Sequence, residues 1–153
     1  MSGYSITLFL HSWVRWIILI LGLVVLIKAY TGWSGKKAYT KGDNGMAAGW
    51  VGMMDLNLVL GLLLYIIFSP YVKQAFSDFG AAMNDASIRF WAVEHIAMNI
   101  IAVAVAHIGR VKAKKATTDW QKHKITAIWF TISMLLVLSR IPWGEAARLF
   151  RGL

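Results

Sequence analysis

The sequence predicts an all-α membrane protein, a bundle of four transmembrane helices with a short interfacial helix between the second and third. Three observations predict it. Of the 153 residues, 58% are hydrophobic and only 15% charged, against about 45–50% and about 25% in soluble domains. Four apolar runs each approach the roughly 20 residues needed to cross about 30 Å of hydrocarbon at 1.5 Å per residue. The basic residues gather in blocks between those runs. No repeat or linker divides the chain, so residues 1–153 read as a single domain.

The first run covers about 6–29. The opening MSGYSITLFLHSWVRW has no basic stretch ahead of its apolar part and carries Arg15 inside it. A cleavable signal would show the reverse, so this run is expected to remain as a span. The second covers about 46–69 and the third about 89–108. The fourth, about 125–143, ends near Arg140 and Pro142, where the long arginine stem can carry its charge to the interface. Between the second and third runs, Val72, Ala75, Phe76, Phe79 and Met83 recur at helical spacing, which predicts a short helix lying in the outer interface. The tail GEAARLFRGL is expected to lie there too. Most of the eight tryptophans sit near predicted span ends, as interfacial belts do.

Sixteen Lys and Arg face seven Asp and Glu. Lys28, Lys36, Lys37 and Lys41 follow the first run; Arg110, Lys112, Lys114, Lys115, Lys122 and Lys124 follow the third. This placement fits an anionic cytoplasmic leaflet, not nucleic acid. The expected location is a bacterial inner membrane, multi-pass, with basic loops in the cytoplasm and both termini outside. There is no cysteine, which excludes disulfides, thiolate metal sites, covalently attached haem and iron–sulfur clusters. No nucleotide-binding loop, Ser–His–Asp order or metalloprotease helix motif is present, so nothing marks an autonomous enzyme.

Ionisable side chains inside spans cost about 2.5–3.5 kcal/mol each at a helix centre and therefore mark candidate sites. His11 and Arg15 share one face of the first run; Asp55 and Asn57 lie in the second; Glu94, His95, Asn99 and His107 in the third; Arg140 in the fourth. With both termini outside, His11 and His95 fall at comparable depth in the outer half. Two neutral imidazoles on facing helices are what a non-covalent b-type haem needs as axial ligands. Arg15, Arg89 and Arg140 are candidates to pair with its anionic propionates. Small residues on the same faces (Ala92, Ala102 and Ala106 on the third run, Gly22 on the first) let helices approach or leave room for a flat ligand. The bland alternative is that His11 and His95 are hydrogen-bonding partners in an ordinary helix contact. His107 and His123 flank the basic loop; a second haem there is the weaker reading, since His123 in QKHK is expected to face water. Glu94 is read first as the neutraliser of Arg15 or Arg89. Asp55 lacks an obvious cation and stays open between packing and a role in proton or quinone binding.

HSWVRW (11–16), TGWSGKKAYTKGDN (31–44), GLLLYIIFSP (61–70), RFWAVEHIAM (89–98), IGRVKAKKATTDWQKHKITAIWF (108–130) and IPW (141–143) carry a resemblance over nearly the whole chain. It is to small bacterial four-helix membrane proteins commonly labelled "cytochrome B". The resemblance implies haem b held by histidines inside the bundle, with His11 and His95 in the matching stretches. It also implies electron transfer within or beside a respiratory or photosynthetic membrane complex. The chain departs from the family where many members read approximately H-x-Q and this one has Asp55 and Asn57. The competing expectation is a cofactor-free structural or assembly subunit of a larger membrane complex. A third is a small transporter or quinone-binding protein using Asp55 and Glu94.

Overall fold

The computed structural model describes residues 2–152, and among them every regular element is helical. Four long helices dominate: α1 (Gly3–Ser34), α2 (Lys41–Leu63), α6 (His95–Lys115) and α7 (Asp119–Ser139). Each starts or stops for a chemical reason. Ser2 caps α1 by accepting from the Ser5 amide. Thr40 and Asp43 form a reciprocal capping box at α2, as Thr118 and Gln121 do at α7, each satisfying two amides that the first turn leaves free. The turn between α1 and α2 passes through Lys36 in the left-handed region, φ 48°.

Two widened turns break the regular helical bonding. At the end of α2, Leu64–Phe68 form a π-helical turn in which the Ser69 amide reaches the Leu64 carbonyl at 2.8 Å. Phe90–Glu94 form another, closing directly into α6. Between them the single interfacial helix expected from periodicity is three short pieces instead: α3 (Pro70–Ser77), α4 (Phe79–Asn84) and α5 (Ala86–Arg89). The breaks fall at Asp78 and Asp85. Their carboxylates accept from the amides of Ala81, and of Ser87 and Ile88, so each aspartate starts a new helix where the pattern predicts a continuous one. After α7 the chain turns at Arg140 and ends in a short α8 (Ala146–Leu149). The fourth predicted run thus corresponds to a helix that begins at Asp119 and stops at Ser139.

α1 packs on α2 and α7, and α6 packs on the same two, so the long helices close a ring in chain order. Its interior is filled by Trp50, Ala102, Ala106, Ala127, Phe130 and Ser133, all essentially inaccessible. The polar atoms buried there are answered: Trp50 Nε1 donates to the Ile18 carbonyl at 2.9 Å and Ser133 Oγ to the Ala102 carbonyl at 2.7 Å. Gly22 is required by this packing, because a Cβ there would lie 2.1 Å from Met134 Cε and 2.6 Å from Trp50 Nε1. The outward faces are apolar, with Ile20, Leu23, Val59 and Leu135 exposed. Three helical stretches, Gly3–Ser34, Lys41–Phe68 and Ala86–Lys115, are long and apolar enough to cross a membrane. α7 completes the ring, but its first two turns carry Asp119, Gln121, Lys122, His123 and Lys124, which lowers its apolar character.

Candidate functional site: a cavity between two histidines

The start of α1, the end of α2, the start of α6 and the end of α7 meet at one end of the bundle, around a cavity of about 150 Å³. His11, Ser12 and Arg15 reach it from α1, Met54, Asn57 and Gly61 from α2, and His95, Ile96 and Asn99 from α6. The ring centroids of His11 and His95 are 6.3 Å apart, with planes at 69°.

The orientation of each ring is fixed from behind. His11 Nδ1 lies 3.1 Å from the Asn57 carbonyl oxygen and His95 Nδ1 lies 2.8 Å from that of Arg140. A carbonyl only accepts, so each Nδ1 carries the proton and donates it, and each Nε2 keeps a free lone pair. Among the described residues neither Nε2 has a hydrogen-bond partner. This is the arrangement that orients metal-ligating histidines.

Local features hold the rings in place. The π turn at Phe90–Glu94 sets the register just before His95, and it is joined to the other π turn, Leu64–Phe68, where Tyr65 donates to the Ala92 carbonyl at 2.7 Å. Such turns recur at functional sites because they re-aim the side chains that follow. Phe90 and Trp91 pack on the His95 ring at 5.8 and 5.4 Å between centroids. Across the cavity, Gly61 leaves room for His11: a Cβ there would lie 3.2 Å from His11 Cε1.

Of the five residues singled out in the sequence, His11, His95 and Arg15 line this cavity. Arg15 is 9% exposed, and its Nη2 donates to the carbonyls of Arg148 and Leu149 at 3.1 and 2.9 Å. Arg89 and Arg140 are not among the lining side chains. Both are drawn to Glu94, Arg89 Nε at 2.9 Å from Oε1 and Arg140 Nη1 at 3.8 Å from Oε2. What Arg140 gives the site is its backbone carbonyl. Two arginines of the tail, Arg148 and Arg151, take the places at the cavity wall. The helical pattern of GEAARLFRGL gave no sign of this, because it depends on how the chain turns after Ser139.

Two further polar residues differ from expectation. His123 does not face water: it is 2% exposed, enclosed where Gly32 makes room for it and packed against Tyr39 at 4.9 Å. Asp55 does have a partner, since His107 Nε2 lies 2.8 Å from its Oδ1, with both side chains about half exposed on the outside of the bundle.

No protein-family model, curated protein or solved structure matches the chain.

Proposed function

We propose that this chain is a b-type haem protein of four membrane spans that carries electrons within or beside a larger membrane complex. The observation that carries the reading is the imidazole pair, 6.3 Å between centroids with both Nδ1 protons given to backbone carbonyls. His11 and His95 would hold the iron through Nε2, and Arg15 would pair with a carboxylate of the group. Haem bound there supplies one-electron exchange between ferric and ferrous iron. The residues present fix the two histidines through the Asn57 and Arg140 carbonyls, pack Phe90 and Trp91 on the His95 ring, and place the buried Arg15 cation in the cavity wall. The 150 Å³ cavity is smaller than the roughly 300–1,000 Å³ that encloses larger ligands. Loading therefore requires side chains such as Leu8, Leu58 and Ile96 to turn aside and the macrocycle edge to extend between helices.

In this reading α7 is the fourth span and α3 to α5 lie in the outer interface. The lysine-rich connections face the cytoplasm of a bacterial inner membrane and both termini face out. The test is a reduced-minus-oxidised absorption spectrum of the purified protein. A sharp b-type α band is expected, and it should vanish in either His11→Ala or His95→Ala. A folded but colourless protein, made with ample haem, would overturn the proposal.

One observation favours a second reading, a cofactor-free structural or assembly subunit. On the outward side of α2, a Cβ added at Gly45, Gly49 or Gly52 would meet nothing within 4 Å, and the Asp55–His107 pair lies alongside, half exposed. Glycines at such spacing let another helix approach closely. The same spectrum separates the two readings.

A further inference from the structure

The last residues of the chain are fastened to α1 by side chains that reach their backbone. Trp13 Nε1 donates to the Arg151 carbonyl at 2.9 Å and Trp16 Nε1 to that of Leu149 at 2.8 Å. Arg15 donates to the carbonyls of Arg148 and Leu149. Phe150 stacks on Trp16, 5.3 Å between centroids and 12° from parallel. The segment thereby brings Arg148 and Arg151 into the cavity wall, and the Arg148 guanidinium lies 4.4 Å from the Trp91 ring centroid.

Charge is the second observation. Arg15, Arg148 and Arg151 all line the cavity, and among the described residues no Asp or Glu does. Glu145 pairs with Arg148. Among the described residues neither Arg15 nor Arg151 has a carboxylate partner, and the Nε atoms of both are buried without a hydrogen-bond partner. Burying a cation with no counter-charge is costly, so the cluster suits an anion that the described residues do not supply. With Glu145 answering one of three guanidinium groups, a ligand bearing two negative charges balances the rest.

We infer that residues 144–152 form an anion-binding cap. In it Arg148 and Arg151 join Arg15 to hold the two carboxylates of haem, and those carboxylates in turn fasten the cap to α1. The inference rests on the haem reading above and assigns the carboxylate end to the tail, in place of Arg89 and Arg140. Arginine suits the task because its planar fork meets a carboxylate with two parallel hydrogen bonds.

The experiment compares the full-length protein with R148Q/R151Q, each loaded with haem or with haem dimethyl ester, whose carboxylates are blocked. Release is followed by transfer to excess apomyoglobin. The double variant is expected to keep the b-type α band, since both histidines remain, but to release haem at least about tenfold faster than wild type. The wild-type protein should release the ester at least as fast as the variant releases haem, and the variant should distinguish the two much less than wild type does, through the Arg15 that remains. Equal release of haem from both proteins, or of haem and ester from wild type, would overturn the cap while leaving histidine ligation standing. A wild-type protein that takes up neither compound would overturn both. A chain ending at Trp143 gives a second arm: it should behave as the double variant does, and wild-type retention of haem by it would count against the cap.

Discussion

At the scale of single residues, the site depends less on the two histidines than on what stops them turning. An imidazole on a helix has rotamers to choose from, and here the carbonyls of Asn57 and Arg140 select one for each ring. Gly61 guards that choice for His11. Its missing side chain leaves the ring edge in ordinary contact with the α2 backbone, where a Cβ would stand 3.2 Å from Cε1. In haem-loaded protein Gly61→Ala is therefore expected to preserve the α band with a small shift, because the ring must yield only a few tenths of an ångström. Gly61→Ile, whose branches project further, should displace His11 from Asn57 and leave less than half the wild-type haem content, read from the pyridine haemochrome. Full occupancy in the isoleucine variant would mean that His11 has freedom the packing does not suggest. Glu94 acts more remotely: by drawing in Arg89 and Arg140 it pins the turn that presents the Arg140 carbonyl to His95.

Among the elements, the helix starts are governed by short polar side chains, and one of them makes a pH dependence. Burial pushes the Asp43 carboxyl up, but hydrogen bonds from the Thr40 amide and hydroxyl, with Lys28 at 3.1 Å, hold it below its ordinary value of 3.8. A carboxyl lowered in the folded state stabilises the fold above its unfolded pKa, and that contribution is lost as pH falls through the depressed value. Asp43→Asn should therefore melt lower than wild type at pH 7 in detergent, by the equivalent of about 1 kcal/mol. The gap should close progressively below pH 4. A gap that persists undiminished in acid would assign the effect to the cap geometry alone, with no part for the charge.

The same chemistry explains what could be read from the sequence and what could not. Apolar runs long enough to cross a membrane announce themselves, because burial in lipid leaves no alternative composition. The meeting of His11 with His95 followed from the orientation: with both termini on one side, the starts of the first and third runs lie at the same face and so at comparable depth. The split of residues 70–89 was hidden, because an aspartate in an amphipathic pattern reads equally as a solvated helix position or as a new N-cap, and Asp78 and Asp85 act as the second. The two π turns leave no mark in the hydrophobic period. His123 looked solvated from its neighbours Lys122 and Lys124, but the helix face decides. Those lysines lie over aromatic rings, Lys124 at 4.9 Å from Trp120 and Lys122 at 5.9 Å from Tyr39, while His123 points inward beneath Gly32.

For the whole molecule, the two ends of the bundle are chemically unlike. One end holds the cavity, and the short helices and tail at that end carry Phe76, Phe79, Trp143 and Phe150, all at least half exposed. The other carries Lys36, Lys37, Lys41, Lys112, Lys114, Lys115, Lys122 and Lys124. Cytoplasmic loops favour lysine and arginine because a basic segment is hard to translocate and is held by the anionic leaflet, so the cavity end should face outward. The absence of cysteine makes this directly measurable with single-cysteine variants and a membrane-impermeant maleimide on intact spheroplasts. Phe79→Cys, at the exposed start of α4, is expected to label at once. Lys37→Cys and Thr117→Cys, in the two basic connections, should label only after the membrane is opened. The reverse pattern would turn the molecule over and place the histidine pair at the cytoplasmic face. The direction bears on the proposed haem, because electrons cross protein poorly over long distances: a carrier with its histidine pair in the outer half would exchange electrons with a partner at the outer face or within the membrane beside that end of the bundle.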